Sequence, residues 1–141
     1  AVTVPEHYFN ASNVSGDGKN SWKEVASVSI YNSHNTSIPV FYNFSASIAY
    51  QGVTYDDPNK TPYREIPETA FSARLMVGST IYDSQYHGDA FSTNQFPALS
   101  GVFIVPAGQS RDIEIYWYGG GPGTSDTQIG KRSLIVQGVK R

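Results

Sequence analysis

The chain is 141 residues long, 39% apolar and 16% charged, with a net charge of −2. That length suits one domain with a sizeable core, and the composition excludes a disordered chain or a basic nucleic-acid surface. Cysteine is absent, which removes disulfides, thiolate metal sites and cysteine nucleophiles, and no apolar run approaches the roughly 20 residues of a spanning helix.

The opening Ala1-Val2-Thr3-Val4-Pro5-Glu6 has neither an initiating Met nor a signal-peptide pattern, so a mature product or an excised C-terminal domain is expected. Without disulfides, assembly in the cytosol is the expected setting. Residues 1–20 read as a possible N-terminal linker or arm, because Asn10 to Asn20 is rich in Ser, Asn, Gly and Asp. Trp22 opens an extended stretch through Val25, Val28 and Ile30 to Tyr31, and residues 32–37 form a turn. Ile38 to Tyr50 is the clearest strand. Val40, Tyr42, Phe44, Ala46, Ile48 and Tyr50 share one face, with Asn43, Ser45, Ser47 and Gln51 on the other.

Gly52 to Thr69 holds Asp56-Asp57-Pro58-Asn59, Pro62 and Pro67, and reads as a long irregular connection across one end of the fold. Phe71, Ala73, Leu75 and Val77 then alternate with Ser72, Arg74 and Met76, and Gly78-Ser79 is a hairpin turn with Gly first. Thr80 to Tyr86 is the return strand, and His87 to Pro97 is a polar connection. Leu99 to Val105 meets Pro106-Ala107-Gly108, where Pro presets φ and Gly supplies the left-handed position. Beyond it, Ile113, Ile115 and Trp117 face one way, and Asp112, Glu114, Tyr116 and Tyr118 the other. A glycine-rich loop from Gly119 leads to a last strand, Arg132 to Arg141. About seven or eight antiparallel strands and no sustained helical period predict an all-β, antiparallel β-sandwich of the jelly-roll type, one domain over residues 1–141.

Catalytic chemistry is sparse. His7, His34 and His87 lie in separate polar segments, with no spacing that joins them to a nucleophile or a metal set. Asp56-Asp57 with Asn59, and Asp17 with Asn20, lack the alternating ligand spacing of a calcium loop, and Asx turns account for both. Gly119 to Gly123 lacks the lysine and helix of a phosphate loop. Sequons at Asn10, Asn13, Asn35, Asn43 and Asn59 arise readily in a Ser- and Thr-rich chain. The chain therefore reads as non-enzymatic, with no metal and no cofactor.

Ten tyrosines, seven phenylalanines and two tryptophans among Ser, Asn, Thr and Gly suit strands and turns, and also surface recognition. Tyr116 and Tyr118 share a strand face with Glu114 and Asp112, while Tyr55 adjoins Asp56, and Tyr82 lies near Asp83 and Tyr86. Aromatic rings beside carboxylates match sugar recognition, in which a ring stacks and acceptors take hydroxyls. Tyr116, Tyr118, Glu114, Tyr55, Asp56 and Tyr82 are the candidate ligand-binding residues. Packing of these tyrosines between subunits or under loops is the competing explanation.

Ala73-Arg74-Leu75, the run from Leu99 to Gly108, Ile113-Glu114-Ile115-Tyr116-Trp117 and the closing Arg132 to Arg141 resemble the receptor-binding tip domains of tailed-bacteriophage tail fibres. The same plan is similar to trimeric jelly rolls of the tumour-necrosis-factor and C1q type, and the resemblance covers roughly residues 70–141. It implies a homotrimeric knob on a virion fibre or spike that adsorbs to a host cell-surface glycan or protein. Nucleic-acid binding and membrane insertion are not implied. Two other roles fit the same residues: a structural capsid, spike or baseplate jelly roll, and a carbohydrate-binding module.

Overall fold

Side chains that alternate between apolar and polar along almost every segment lay the chain out as strands, and two sheets close over their shared apolar sides. The computed structural model describes residues 6–15, 22–50, 52–55, 65–68, 71–87, 97–119 and 128–139. Eleven strands are present among them: β1 (Glu6–Asn10), β2 (Val14–Ser15), β3 (Lys23–Tyr31), β4 (Ile38–Tyr50), β5 (Gly52–Tyr55), β6 (Glu65–Glu68), β7 (Phe71–Val77), β8 (Thr80–His87), β9 (Ala98–Val105), β10 (Ser110–Gly119) and β11 (Gln128–Gly138). One sheet runs β1-β11-β4-β9, with β2 also on β11, and the other runs β3-β10-β7-β8. All the pairings are antiparallel.

Numbered by chain order among the eight sandwich strands, the sheets read first-eighth-third-sixth and second-seventh-fourth-fifth. That interleaving of two Greek keys is a jelly roll. The registers also sort the connections. Segments 11–22, 51–70, 88–97 and 120–127 all join strand ends at one end of the sandwich, and the short turns 32–37, 78–79 and 106–109 lie at the other. Gly78 (φ 59°) and Gly108 (φ 68°) supply the left-handed positions in two of those turns.

The core is what the alternation predicts. Val40, Tyr42 and Phe44 of β4, Ala73, Leu75 and Val77 of β7, and Ile113, Ile115 and Trp117 of β10 are buried together. Three features depart from the sequence reading. Glu6–Asn10, read as arm or loop, is a strand that pairs with β11 from Val136 to Arg132. The segment read as irregular after Gly52 contains the two-stranded β5–β6 sheet. The last strand starts at Gln128, ahead of Arg132; Arg132 faces inward in step with Leu134 and Val136, and a bulge between Ile129 and Arg132 brings Ile129 to the same side.

Arg132 is buried and donates from Nε to the Val25 carbonyl at 2.5 Å, and from Nη1 to the carbonyls of Ser12 at 2.6 Å and Gly130 at 2.9 Å. It thereby ties β11 to β3 and to the connection after β1. At the opposite end, fully buried Asn32 donates from Nδ2 to the carbonyls of Thr36, Val105 and Pro106, and its Oδ1 accepts the His34 amide. Its backbone exchanges hydrogen bonds with the facing turn, Asn32 N–H to Gln109 and Gly108 N–H to Asn32. One side chain thus locks two turns that lie more than 70 residues apart in the chain.

A third tie crosses the sandwich. Tyr42 of β4 lies beneath Gly101, its β9 partner, where any Cβ would collide with the phenol, and donates its hydroxyl to Asp83 of β8 at 3.1 Å. Burial, then the Asp83 charge and hydrogen bond, push the Tyr42 phenol up to about 12 from 10.0. Because folding raises this value, the stabilisation is complete below about pH 10 and is lost as pH rises through about 12. Urea unfolding of wild type and Tyr42→Phe at stepped alkaline pH is expected to show a steeper decline for wild type across that window. Parallel curves would show that Tyr42 contributes no alkaline sensitivity.

Candidate functional site

The predicted residues Glu114, Tyr116 and Tyr118 come together on the outer face of β10. Alternation places them there, because Ile113, Ile115 and Trp117 take the inner face. Tyr116 sits between Arg74 of β7 and Glu24 of β3, and Tyr118 opposite Ser72. The Tyr116 hydroxyl donates to Glu114 Oε2 at 2.5 Å, and chiefly that bond holds the phenol above its ordinary range. Asp112, one step earlier on the face, accepts from Ser29.

Trp22, the residue before β3, meets the Tyr118 ring edge-on at 4.6 Å and 77°, and the Arg74 guanidinium lies 4.0 Å from the Trp22 ring centroid. Neither Trp22 nor Arg74 was anticipated as a site residue. The available signal was the outward register of Arg74 opposite the Tyr116 position. A cleft of about 240 Å³ opens beside them, lined by Trp22, Ser72, Arg74, Ile81, Ser84 and Gln85. Rings, a guanidinium, hydroxyls and an amide here can stack on and hydrogen-bond a polyhydroxylated ligand.

The other candidates lie elsewhere. A bulge between Leu75 and Met76 leaves Tyr82 out of register, and its ring packs on Phe103 of β9 at 5.8 Å, on the β8–β9 side of the sandwich. Tyr55 belongs to the separate β5–β6 sheet, paired with Glu65, and Asp56 lies outside the described residues. His7 contacts Ser133 Oγ at 3.0 Å, and among the described residues no three His, Asp or Glu side chains gather in a metal-holding group.

The second outer face, on β1-β11-β4-β9, is of the opposite character. Phe9, Phe41, Val102, Ile104 and Ile135 project from its four strands, 43% to 61% exposed. Between them stand Asn43, Ser45, Ser100 and Ser133 in register, with His7 beside Ile135; among the described residues the face has no exposed Asp, Glu or Arg, and Lys131 stands beside Phe9 near the end of the long connections. Phe41, Asn43, Ser100, Val102, Ile135 and Gln137 border a depression of about 470 Å³. Unbroken apolar runs, Val102-Phe103-Ile104-Val105 and Leu134-Ile135-Val136, were the signal for this face, since a strand with one wet side should alternate.

No family model matches the sequence, and no curated protein matches it. Similarity appears among solved structures. A structure of infectious bursal disease virus Gt strain is 14% identical with a TM-score of 0.47, covering 94% of this chain and 33% of that one. T=1 particles derived from the same virus give 12% identity and a TM-score of 0.47 over 96% of this chain and 32% of that one. Dimeric latent PorU from Porphyromonas gingivalis gives 8% and 0.39 over 94% of this chain and 12% of that one. The chain thus spans about a third or less of the length of these structures.

Proposed function

We propose that this chain is a non-enzymatic structural jelly roll of a virus particle, held in a capsid, spike or baseplate by one of its sheet faces. The observation that carries this reading is the apolar outer face of β1-β11-β4-β9, with five large apolar side chains 43% to 61% exposed and, among the described residues, Lys131 at its rim as its one formal charge. Scattered exposed apolar residues are ordinary, but a contiguous patch depleted of charge has the composition of an interface core. The resemblance of residues 70–141 to fibre-tip domains supports the virion setting.

A second reading, adsorption to a host cell-surface glycan or protein receptor, is favoured by the Trp22, Arg74, Tyr116 and Tyr118 cluster on the opposite face. One experiment separates the two. Phe41→Lys with Ile135→Lys, and separately Tyr116→Ala with Tyr118→Ala, are introduced into the virus, and particle content and host adsorption are measured. The structural role expects the first pair to strip the chain from particles while the second pair leaves adsorption per particle unchanged. A tenfold or larger loss of adsorption by intact particles carrying the second pair would establish the receptor role instead.

A further inference from the structure

We infer that the occupant of the outer face of β1-β11-β4-β9 is a second copy of this chain, so that the face is a homo-oligomer interface; this rests on the structural reading above and names its partner. The first argument is self-compatibility. A face that meets a copy of itself must not repel itself, and among the described residues this one carries no exposed Asp, Glu, Lys or Arg from Ile104 to Ile135, with His7 beside Ile135 and Lys131 confined to the rim beside Phe9. The opposite outer face, with Glu24, Arg74, Asp112 and Glu114, places like carboxylates where a copy would have to sit.

The polar groups in the band point the same way. Asn43 and Ser100 are exposed, directly paired across β4 and β9, and carry groups that both donate and accept hydrogen bonds. Such groups satisfy their own copies, whereas a carboxylate or an ammonium needs an unlike partner. Around them Phe41, Val102 and Ile135 provide apolar contact, and the depression of about 470 Å³ between these residues offers a recess for an opposing side chain.

Area is the third argument. Three strands paired over eight or nine residues and β1 paired over five, spaced by ~4.8 Å and rising ~3.3 Å per residue, give a face on the order of 450 Å² in plan. Side-chain relief raises the accessible area of that face towards the ~800 Å² that each partner contributes to a stable complex. Two sheets stacked face to face at ~10 Å repeat the packing already used inside the sandwich.

The test is the solution mass of the whole purified chain by light scattering during size-exclusion chromatography, at micromolar concentration. Wild type is expected at two or more times 15.4 kDa, and Phe41→Lys with Ile135→Lys at 15.4 kDa. Ile81→Lys, an exposed apolar position on the other sheet, is the control and is expected to keep the wild-type mass. Circular dichroism melting confirms that each variant is folded; because Phe41 and Ile135 are exposed, both are expected to melt near wild type. Should Phe41→Lys with Ile135→Lys fail to fold, Ile104→Lys on the same face takes its place. A wild-type monomer overturns the second copy as occupant, and a multimer that survives the face substitutions overturns the face. A monomer whose Phe41→Lys and Ile135→Lys form still drops out of virus particles sinks this inference while the structural reading stands.

Discussion

Arg132→Ala is expected to lower unfolding stability by about 3–5 kcal/mol. The magnitude follows from what remains behind. Val25, Ser12 and Gly130 each give a carbonyl to the guanidinium, and the first and last of these contacts are buried. A hydrogen bond to a charged group is worth about 1.5–3 kcal/mol, and a buried carbonyl stripped of its donor loses its share with no water to replace it. Removing the charge itself returns part of this, because a buried guanidinium is costly to desolvate. Arg132→Lys is expected to fall between wild type and Ala, since one ammonium cannot reach three divergent acceptors along a rigid fork. Urea denaturation followed by tryptophan fluorescence measures all three proteins. Equal stability of wild type and Arg132→Ala would mean that the clasp contributes nothing net.

Asn32→Ala is expected to lower stability by about 3 kcal/mol, and Asn32→Asp by at least as much at neutral pH. Alanine leaves the carbonyls of Thr36, Val105 and Pro106 without their shared donor and the His34 amide without its acceptor. Aspartate keeps the shape and the acceptor for His34, but turns a second oxygen towards those three carbonyls in a site with no exposure. Its carboxylate is therefore disfavoured in the folded state, and acidification that protonates it restores a donor. The two variants should thus diverge with pH: the Asp form regains stability on acidification relative to wild type, and the Ala form does not. Parallel thermal melts for both across the acidic range would rule out the donor role assigned to Nδ2.

Legibility in the sequence followed the wetness of each strand face. Ile113, Ile115 and Trp117 could be assigned inward because Asp112, Glu114 and Tyr116 interrupt them, and the structure buries all three. The same alternation brought Glu114, Tyr116 and Tyr118 to one face. Where both faces of a strand are apolar no period survives, so Ile104 and Ile135 could not be told from core, whereas Phe41 falls on the wet face of β4 with Asn43 and Ser45. Arg132 and Asn32 were opaque for a different reason. The two-residue repeat puts Arg132 on the inner side with Leu134 and Val136 but says nothing of the carbonyls that satisfy a charge there, and Asn32 is enclosed by a turn, outside any repeat. Trp22 and Arg74 meet only because β3, β10 and β7 are adjacent, which is a property of the sheet order. Glu6–Asn10 was missed because a five-residue segment carries too little pattern of its own; its strand exists by pairing with β11.

The division between long and short connections gives the domain a fixed pole and a variable one. At the short-turn end, connections of six, two and four residues set the register of their strands, and Asn32 bolts two of them together. At the other end, connections of 12, 20, 10 and eight residues join strands whose alignment is already decided elsewhere. Lengthening one of those adds only a slowly growing loop-closure entropy, about 0.6 kcal/mol for each doubling. New sequence can therefore accumulate at that pole without disturbing the sheets. The molecule is built as a stand on which a changeable crown can be rewritten.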